Sequence, residues 1–376
     1  MQPAGGPSES ELREAARALV RGHLENARGE EGRGVVAALE ACGPFVETDL
    51  VRKARAGDEL GATAALAWLA RRGPGTPFEV PEGAQGAAWE AVRARTLTRT
   101  VDEDARHARL GAADSRVRRA AVDACAAIAS ASDREPLLLM AEHDPAPALR
   151  VAAIEALTPL TDERVVERLA ELWGRAEPEV RDAIARLWAS PKGLRAGGRE
   201  HLITLLTSEP RPQPAVASAL LEARGAGSAL ARQRLRQGAR EGSTEERLAS
   251  LDALSPEDAD GELWDAAVTS GEPSLQLAVL RKRLLVPSLR VAALEQLRGL
   301  ATRPTAEGRG ARLALAAVGE DSVREGLVKD LSAPEPDARL QAALALLALH
   351  AWSAAAPALV DEDTRVALTV ACHAAQ

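Results

Sequence analysis

Residues 148–160 read ALRVAAIEALTPL, and residues 288–300 read SLRVAALEQLRGL. Eight of the thirteen positions are identical, among them Leu149/Leu289, Arg150/Arg290, Val151/Val291 and Ala153/Ala293. In the first copy Leu149, Ala152, Ala153, Leu157 and Leu160 fall at i, i+3, i+4, i+8 and i+11. That spacing lays apolar side chains along one face of a helix. Leu340, Ala343, Leu344 and Leu347 repeat it.

Similar short helices recur outward from this pair, each opening on an acidic or Pro-containing turn. Their first apolar residues are Val117, Leu149, Val180, Val216, Leu248, Leu275, Leu340 and Val366, and the first five steps are 32, 31, 36, 32 and 27 residues. A helix around Leu313 divides the longest gap into 38 and 27. A period near 31 residues is the length of one helix-turn-helix unit. Second helices fit between, such as 163–173 and 262–269. Asp162 is placed to cap one start, Ser243 with Glu246 forms a capping-box pattern, and Pro136 suits a first helical turn. The inner helix near 272–300 stays open between the Leu275 and Leu289 candidates.

Composition agrees. Of 376 residues 80 are Ala and 51 Leu, against four Ile, two Phe and no Tyr. Strands favour β-branched and aromatic residues, whereas Ala, Leu, Arg and Glu favour helix. The expected fold is all-α, a right-handed α-solenoid of stacked two-helix repeats of about 31 residues.

Asp114-x-x-Val117-Arg118-x-x-Ala121-x-x-Ala124 resembles the HEAT repeat, in the short variety seen in phycobilisome-lyase-like repeats. Leu149-Arg150-x-x-Ala153-x-x-Ala156-Leu157 is similar, with Asp144 slightly displaced, and Val180-Arg181 follows Glu177 in the acidic slot. The resemblance implies that Asp114, Arg118, Asp144, Arg150, Glu177 and Arg181 form a structural ladder between adjacent repeats. Farther on the ladder is expected to decay, because the arginine slot holds Ala217, Ala249, Gln276, Gln341 and Ala367. The division expected is an N-terminal helical region of degenerate repeats or a cap over 8–72, a Gly/Pro-rich linker over 73–86, and the solenoid over 87–376. Breaks at 190–199 and 223–228 read as Gly-rich slack on one edge.

No Walker loop, HExxH, GxSxG or kinase set occurs, and the six His are scattered, so no catalytic, metal or cofactor site is expected. Acidic runs at 102–104 and 361–363 read as helix starts, and the six Trp chiefly as core fillers. Three Cys (Cys42, Cys125, Cys372) lie far apart without a CxxC, and each reads as a small buried hydrophobe. Although the chain carries a net charge of -8, the stretch 192–240 holds nine basic and three acidic residues, a local +6. Within it Arg232, Arg236 and Arg240 share one helix face and form the candidate patch for an anionic partner.

Stacked repeats suit binding better than a closed catalytic pocket. The function expected is a non-enzymatic scaffold or adaptor that binds a protein partner on its concave surface, with no cofactor. The resemblance also admits a nucleic-acid-binding protein of the HEAT-like DNA glycosylase kind, or a chromophore lyase or chaperone. Nucleic acid is disfavoured by the acidic balance, since phosphate contacts dominate such affinity. No run is apolar enough to span a bilayer, and the first eight residues have no apolar signal core. The compartment expected is cytoplasmic, with a periplasmic protein or a lipoprotein lacking its signal as the alternative. A lipid anchor arises only if Met1 stands where a processed Cys would be.

Overall fold

A computed structural model describes residues 7–39, 42–72, 76–96, 103–208, 213–255 and 261–376. The start of the N-terminal tether, residues 73–75 of the breaker, Asp102, Glu209 and Arg211 lie outside the described residues. Among the described residues there is no strand, and no helix is long and apolar enough to cross a membrane. The protein is all-α, and its helices stack as in an α-solenoid.

Contacts group the chain into two compact units. One comprises Met1–Gly73, Phe78–Trp89 and Arg283–Gln376; the other comprises Pro74–Pro77 and Glu90–Lys282. The helices preceding the second unit's array are α1 (Glu9–Asn26), α2 (Gly29–Ala38), α3 (Glu47–Ala54), α4 (Glu59–Arg72) and α5 (Ala87–Arg95). Residues 76–86, between α4 and α5, contain no helix.

In the unit built on 90–282, helices alternate between two layers. The inner series is α7 (Ser115–Ile128), α9 (Pro147–Leu157), α11 (Pro178–Ala189), α14 (Pro214–Glu222) and α16 (Thr244–Ala253), each packed on the next. The other layer holds α6 (Glu103–Leu110), α8 (Arg134–His143), α10 (Glu163–Trp173), α13 (Gly198–Ser208), α15 (Ser228–Glu241) and α17 (Gly261–Thr269). A short α12 (Pro191–Arg195) is inserted after α11, and α18 (Pro273–Arg283) closes the series. The helix starts follow from sequence: Asp114 and Asp162 accept backbone amides at 2.8 and 3.1 Å, and Ser243 with Glu246 closes a capping box. Alanines at 120, 121, 152, 153, 183 and 185 are buried, and their small side chains let neighbouring helices approach closely.

The other unit joins both ends of the chain. From its C-terminal segment come α19 (Arg290–Ala301), α20 (Ala306–Ala317), α21 (Arg324–Asp330), α22 (Pro336–Ala348), α23 (Trp352–Ala355) and α24 (Thr364–Ala374). Here α20, α22 and α24 form the packed series, and α19 stands before α20 as α8 stands before α9. The Leu289 helix is therefore an outer one, although its sequence twin at 148–160 is inner. The N-terminal helices continue this stack: α1 and α2 both pack on α24, α1 on α3, and α2 on α4. Leu12, Ala16, Val20 and Leu24 form the buried stripe of α1. Arg17 donates from Nε and Nη2 to the Ala375 carbonyl at 3.3 and 3.1 Å, placing a cation where the α24 dipole favours one.

One cysteine expectation is corrected here. All three sulfurs are buried, but Cys42 and Cys372 are joined in a disulfide with Cα atoms 4.5 Å apart, and only Cys125 is free. The pairing had no local signal, because 330 residues separate the partners and the seam between α1, α2 and α24 brings them together.

Candidate interaction surface

Each inner helix of the 103–189 region places an arginine in its first turns. Asp114 caps α7, and its carboxyl is held below the usual range by hydrogen bonding to Arg116. One turn on, Arg118 is buried. It donates to Asp144 at 2.7 and 3.2 Å, and to the Ala112 and Ala113 carbonyls at 2.8 and 2.9 Å. Asp144 also accepts the Ala146 amide at 2.8 Å. Arg150 donates to Glu177 at 2.6 Å, and this bond lowers the Glu177 pKa. Among the described residues Arg181 meets no acid; it donates to the Trp173 carbonyl at 3.1 Å and lies 5.9 Å from that ring's centroid.

The expected decay does not occur throughout. Arg247 bonds Glu272 at 2.6 Å and the Ala239 carbonyl at 3.2 Å. Arg312 grips Asp330 twice at 2.7 Å, and Arg339 grips Asp361 at 2.8 and 2.9 Å. Arg339 also donates to two carbonyls at 3.0 Å, the same pattern as Arg118. Ala249 and Gln341 occupy the slots only when each frame starts at the first apolar residue, Leu248 or Leu340. The frame belongs instead to the buried pair. Three and four residues after each arginine stand Ala121/Val122, Ala153/Ile154, Ile184/Ala185, Ser250/Leu251, Leu315/Ala316 and Ala342/Ala343, all buried. Counting back from that pair finds every one of these arginines.

The 192–240 stretch is less free than its charge suggests. Lys192 donates to the Pro159 carbonyl, Arg199 to those of Arg224 and Ala226 at 2.8 and 2.7 Å, and Arg234 to that of Leu206 at 2.9 Å. These cations satisfy carbonyls that end helices or turns. On α15 Arg232 and Arg236 are half-buried and Arg240 is exposed, and each already engages a neighbour.

The Gly-rich break at 190–199 is corrected as well. A Cβ on Gly193 would lie 2.1 Å from the Leu187 carbonyl oxygen, and one on Gly198 would lie 2.6 Å from that of Trp188. These glycines permit close packing over a fully buried Trp188. Trp188 stacks between Trp173 and His201, with ring centroids at 5.4 and 5.1 Å.

A Cys, a His and an Asp do meet inside the second unit. Asp133, fully buried, accepts from Arg106 at 3.0 and 2.6 Å and shares a 2.9 Å hydrogen bond with His107. Burial first, and then the Asp133 charge, push the neighbouring Cys125 thiol up to about 12. A thiol so protonated and enclosed is a poor nucleophile. Among the described residues no three His, Cys, Asp or Glu side chains converge as metal ligands.

Residues 103–189 match the family model for HEAT repeats. No curated protein matches the chain. The matched segment runs from α6 to the end of α11, where the arginine contacts, buried pairs and two-layer stacking coincide. The segment 103–189 is a run of HEAT repeats.

Proposed function

We propose that this chain is a non-enzymatic scaffold that holds a partner protein. HEAT repeats generally mediate protein–protein interaction and are typically non-enzymatic. The observation that carries the reading is the recurrence of one arginine frame from Arg118 to Arg339, in both compact units. Each such arginine ties its helix to a neighbouring turn, so Asp114, Arg118, Asp144, Arg150, Glu177 and Arg181 act within the stack. Binding then falls to the exposed faces of the repeats, the concave surface first among them. Arg232, Arg236 and Arg240 would meet an acidic protein surface on α15.

The test is capture of partners by the full-length chain, identified by mass spectrometry, against a variant with those three arginines changed to Glu. A partner held by the wild type supports the reading, and its loss with the variant places it on α15. Tight, salt-sensitive binding to duplex DNA at physiological ionic strength, abolished by the same variant, would replace the reading with nucleic-acid recognition.

The Cys42–Cys372 crosslink supports an oxidising compartment over the cytoplasm, because structural disulfides persist where thiols are not kept reduced.

A further inference from the structure

The outer helices α6 and α8 are tied together at two places. At one, Arg106 and His107 of α6 reach the buried Asp133 that precedes α8. At the other, Arg118 of α7 grips Asp144, which follows α8, and also holds the Ala112 carbonyl beyond α6. Between the ties lies a cleft with a cavity of about 420 Å³. Its lining includes Leu110, Pro136, Leu139 and Met140, with the imidazoles of His107 and His143. Cavities of this size with mostly apolar walls and a few polar groups suit small molecules. The next cleft, between α8 and α10, is bridged instead, for Arg164 bonds Glu135 at 2.8 Å and Arg168 bonds Glu142 at 2.6 Å.

A second cleft of the same frame shows that the apolar wall is no demand of the fold. In the unit built from both chain ends, Arg312 grips Asp330 as Arg118 grips Asp144, and a cavity of about 440 Å³ lies between α19 and α21. Counted back from the ladder acid, the two cavities are lined at the same steps. His143, Met140, Leu139 and Pro136 stand in the first where Lys329, Gly326, Glu325 and Ser322 stand in the second. The second set suits a helix facing water: Glu325 pairs with Lys329 at 2.9 Å, and its side chain is 85% exposed. Leu139 holds the Glu325 step and is 48% exposed, at a site where a carboxylate serves the stack as well. Its apolar side chain therefore answers to something other than packing. The polar groups of the first cleft select an acid. Its one carboxylate, Asp144, is already held by Arg118 and the Ala146 amide. His107 uses Nε2 on Asp133, which leaves Nδ1, and His143 is exposed. An entering carboxylic acid can pass its proton to an imidazole and stay beside it as a charge-assisted pair.

We propose that the cleft between α6 and α8 binds a small alkyl carboxylic acid, with the tail against Leu110, Leu139 and Met140 and the carboxylate on the imidazoles. The site is independent of the scaffold reading and stands or falls by itself.

The chain has two methionines, Met1 and Met140, so carbon-13 labelling of methionine methyl groups puts one NMR reporter in the cleft and a second at the chain start. Octanoate is the probe, titrated into the full-length chain, with 1-octanol and acetate as comparisons. Octanoate should shift the Met140 signal saturably and leave that of Met1 in place. Acetate should do nothing, and octanol should bind about tenfold more weakly for want of the charge. Leu139→Glu, which copies Glu325, should weaken octanoate about tenfold by removing apolar contact and adding a like charge. Leu139 is exposed, so this variant should keep the wild-type circular dichroism and melting curve, and Leu139→Gln replaces it if it does not. No saturable shift at millimolar octanoate, equal shifts of both methionines, octanol as tight as octanoate, or affinity unchanged by the Leu139 variants would each overturn the proposal. A concentration-dependent dimer that moves the Met140 signal without any ligand would also overturn it, by giving the cleft to a second copy.

Discussion

Arg106 and Asp133 show how much a single pair decides. Both side chains are almost wholly buried, so removing one leaves the other's charge with neither water nor counterion. Burial alone would lower the Arg106 pKa, but its bonds to Asp133 more than reverse that. Asp133→Ala should therefore cost about 3–5 kcal/mol in urea denaturation. Glu155→Ala, which breaks a pair with both partners about 57% exposed, should cost at most about 0.5 kcal/mol. Asp182 tests the opposite sign. Desolvation raises its pKa above the unfolded value, so its ionised form opposes folding at neutral pH and its protonated form does not. Asp182→Asn should accordingly raise the melting temperature at pH 7, with the gain fading as pH falls through the folded pKa towards pH 3. Asp114 and Asp361 have lowered pKa values, chiefly through their arginine hydrogen bonds. The stability they add is present above the unfolded carboxylate pKa and is lost as pH falls through their folded values.

At the scale of helices, most of the fold was legible because its signals are local. The i, i+3, i+4 stripe of 148–160, the caps at Asp114 and Asp162, and the capping box at Ser243 each lie within one helix or its start. What sequence could not give was the frame between helices. Leu340 looks like the first core residue of α22, yet it is only half-buried while Arg339 before it is buried. Two residues of slip were enough to hide three arginine contacts. Nor could 288–300 reveal that it forms an outer helix, since its stripe is that of an inner one and only its neighbours differ. The glycines of 190–199 show the same limit, because spacing cannot tell slack from contact. Gly193→Ala should cost about 3 kcal/mol, the upper part of the usual overpacking range, because backbone rather than a movable side chain blocks its Cβ. Gly299→Ala, inside α19 with nothing within 4 Å, should instead add about 0.5–1 kcal/mol. Both changes are readable by chemical denaturation, and equal effects would refute the packing account.

For the whole chain, the consequential feature is that the unit containing α19–α24 is completed by the N-terminal helices. A stack of repeats leaves an apolar face at each end, and α1 and α2 cover the one that α24 would expose. The contacts across this seam include Arg17 on the Ala375 carbonyl, Arg13 over the Trp352 ring at 5.4 Å, and the Cys42–Cys372 bond. A crosslink between such distant residues removes a large amount of freedom from the unfolded chain. In the loop-entropy picture it contributes about 6 kcal/mol, an upper figure because denatured chains retain some structure. Protein purified without reductant and unfolded in urea should present one reactive thiol, that of Cys125, and three after reduction. Digestion should yield a linked peptide pair containing Cys42 and Cys372. Reduction should lower the melting temperature, Cys42→Ser should lower it equally, and reductant should then have no further effect. Cys125→Ser should leave the response to reductant intact. Three thiols before reduction would show that the seam holds without a covalent bond, and the argument for an oxidising compartment would fall with it.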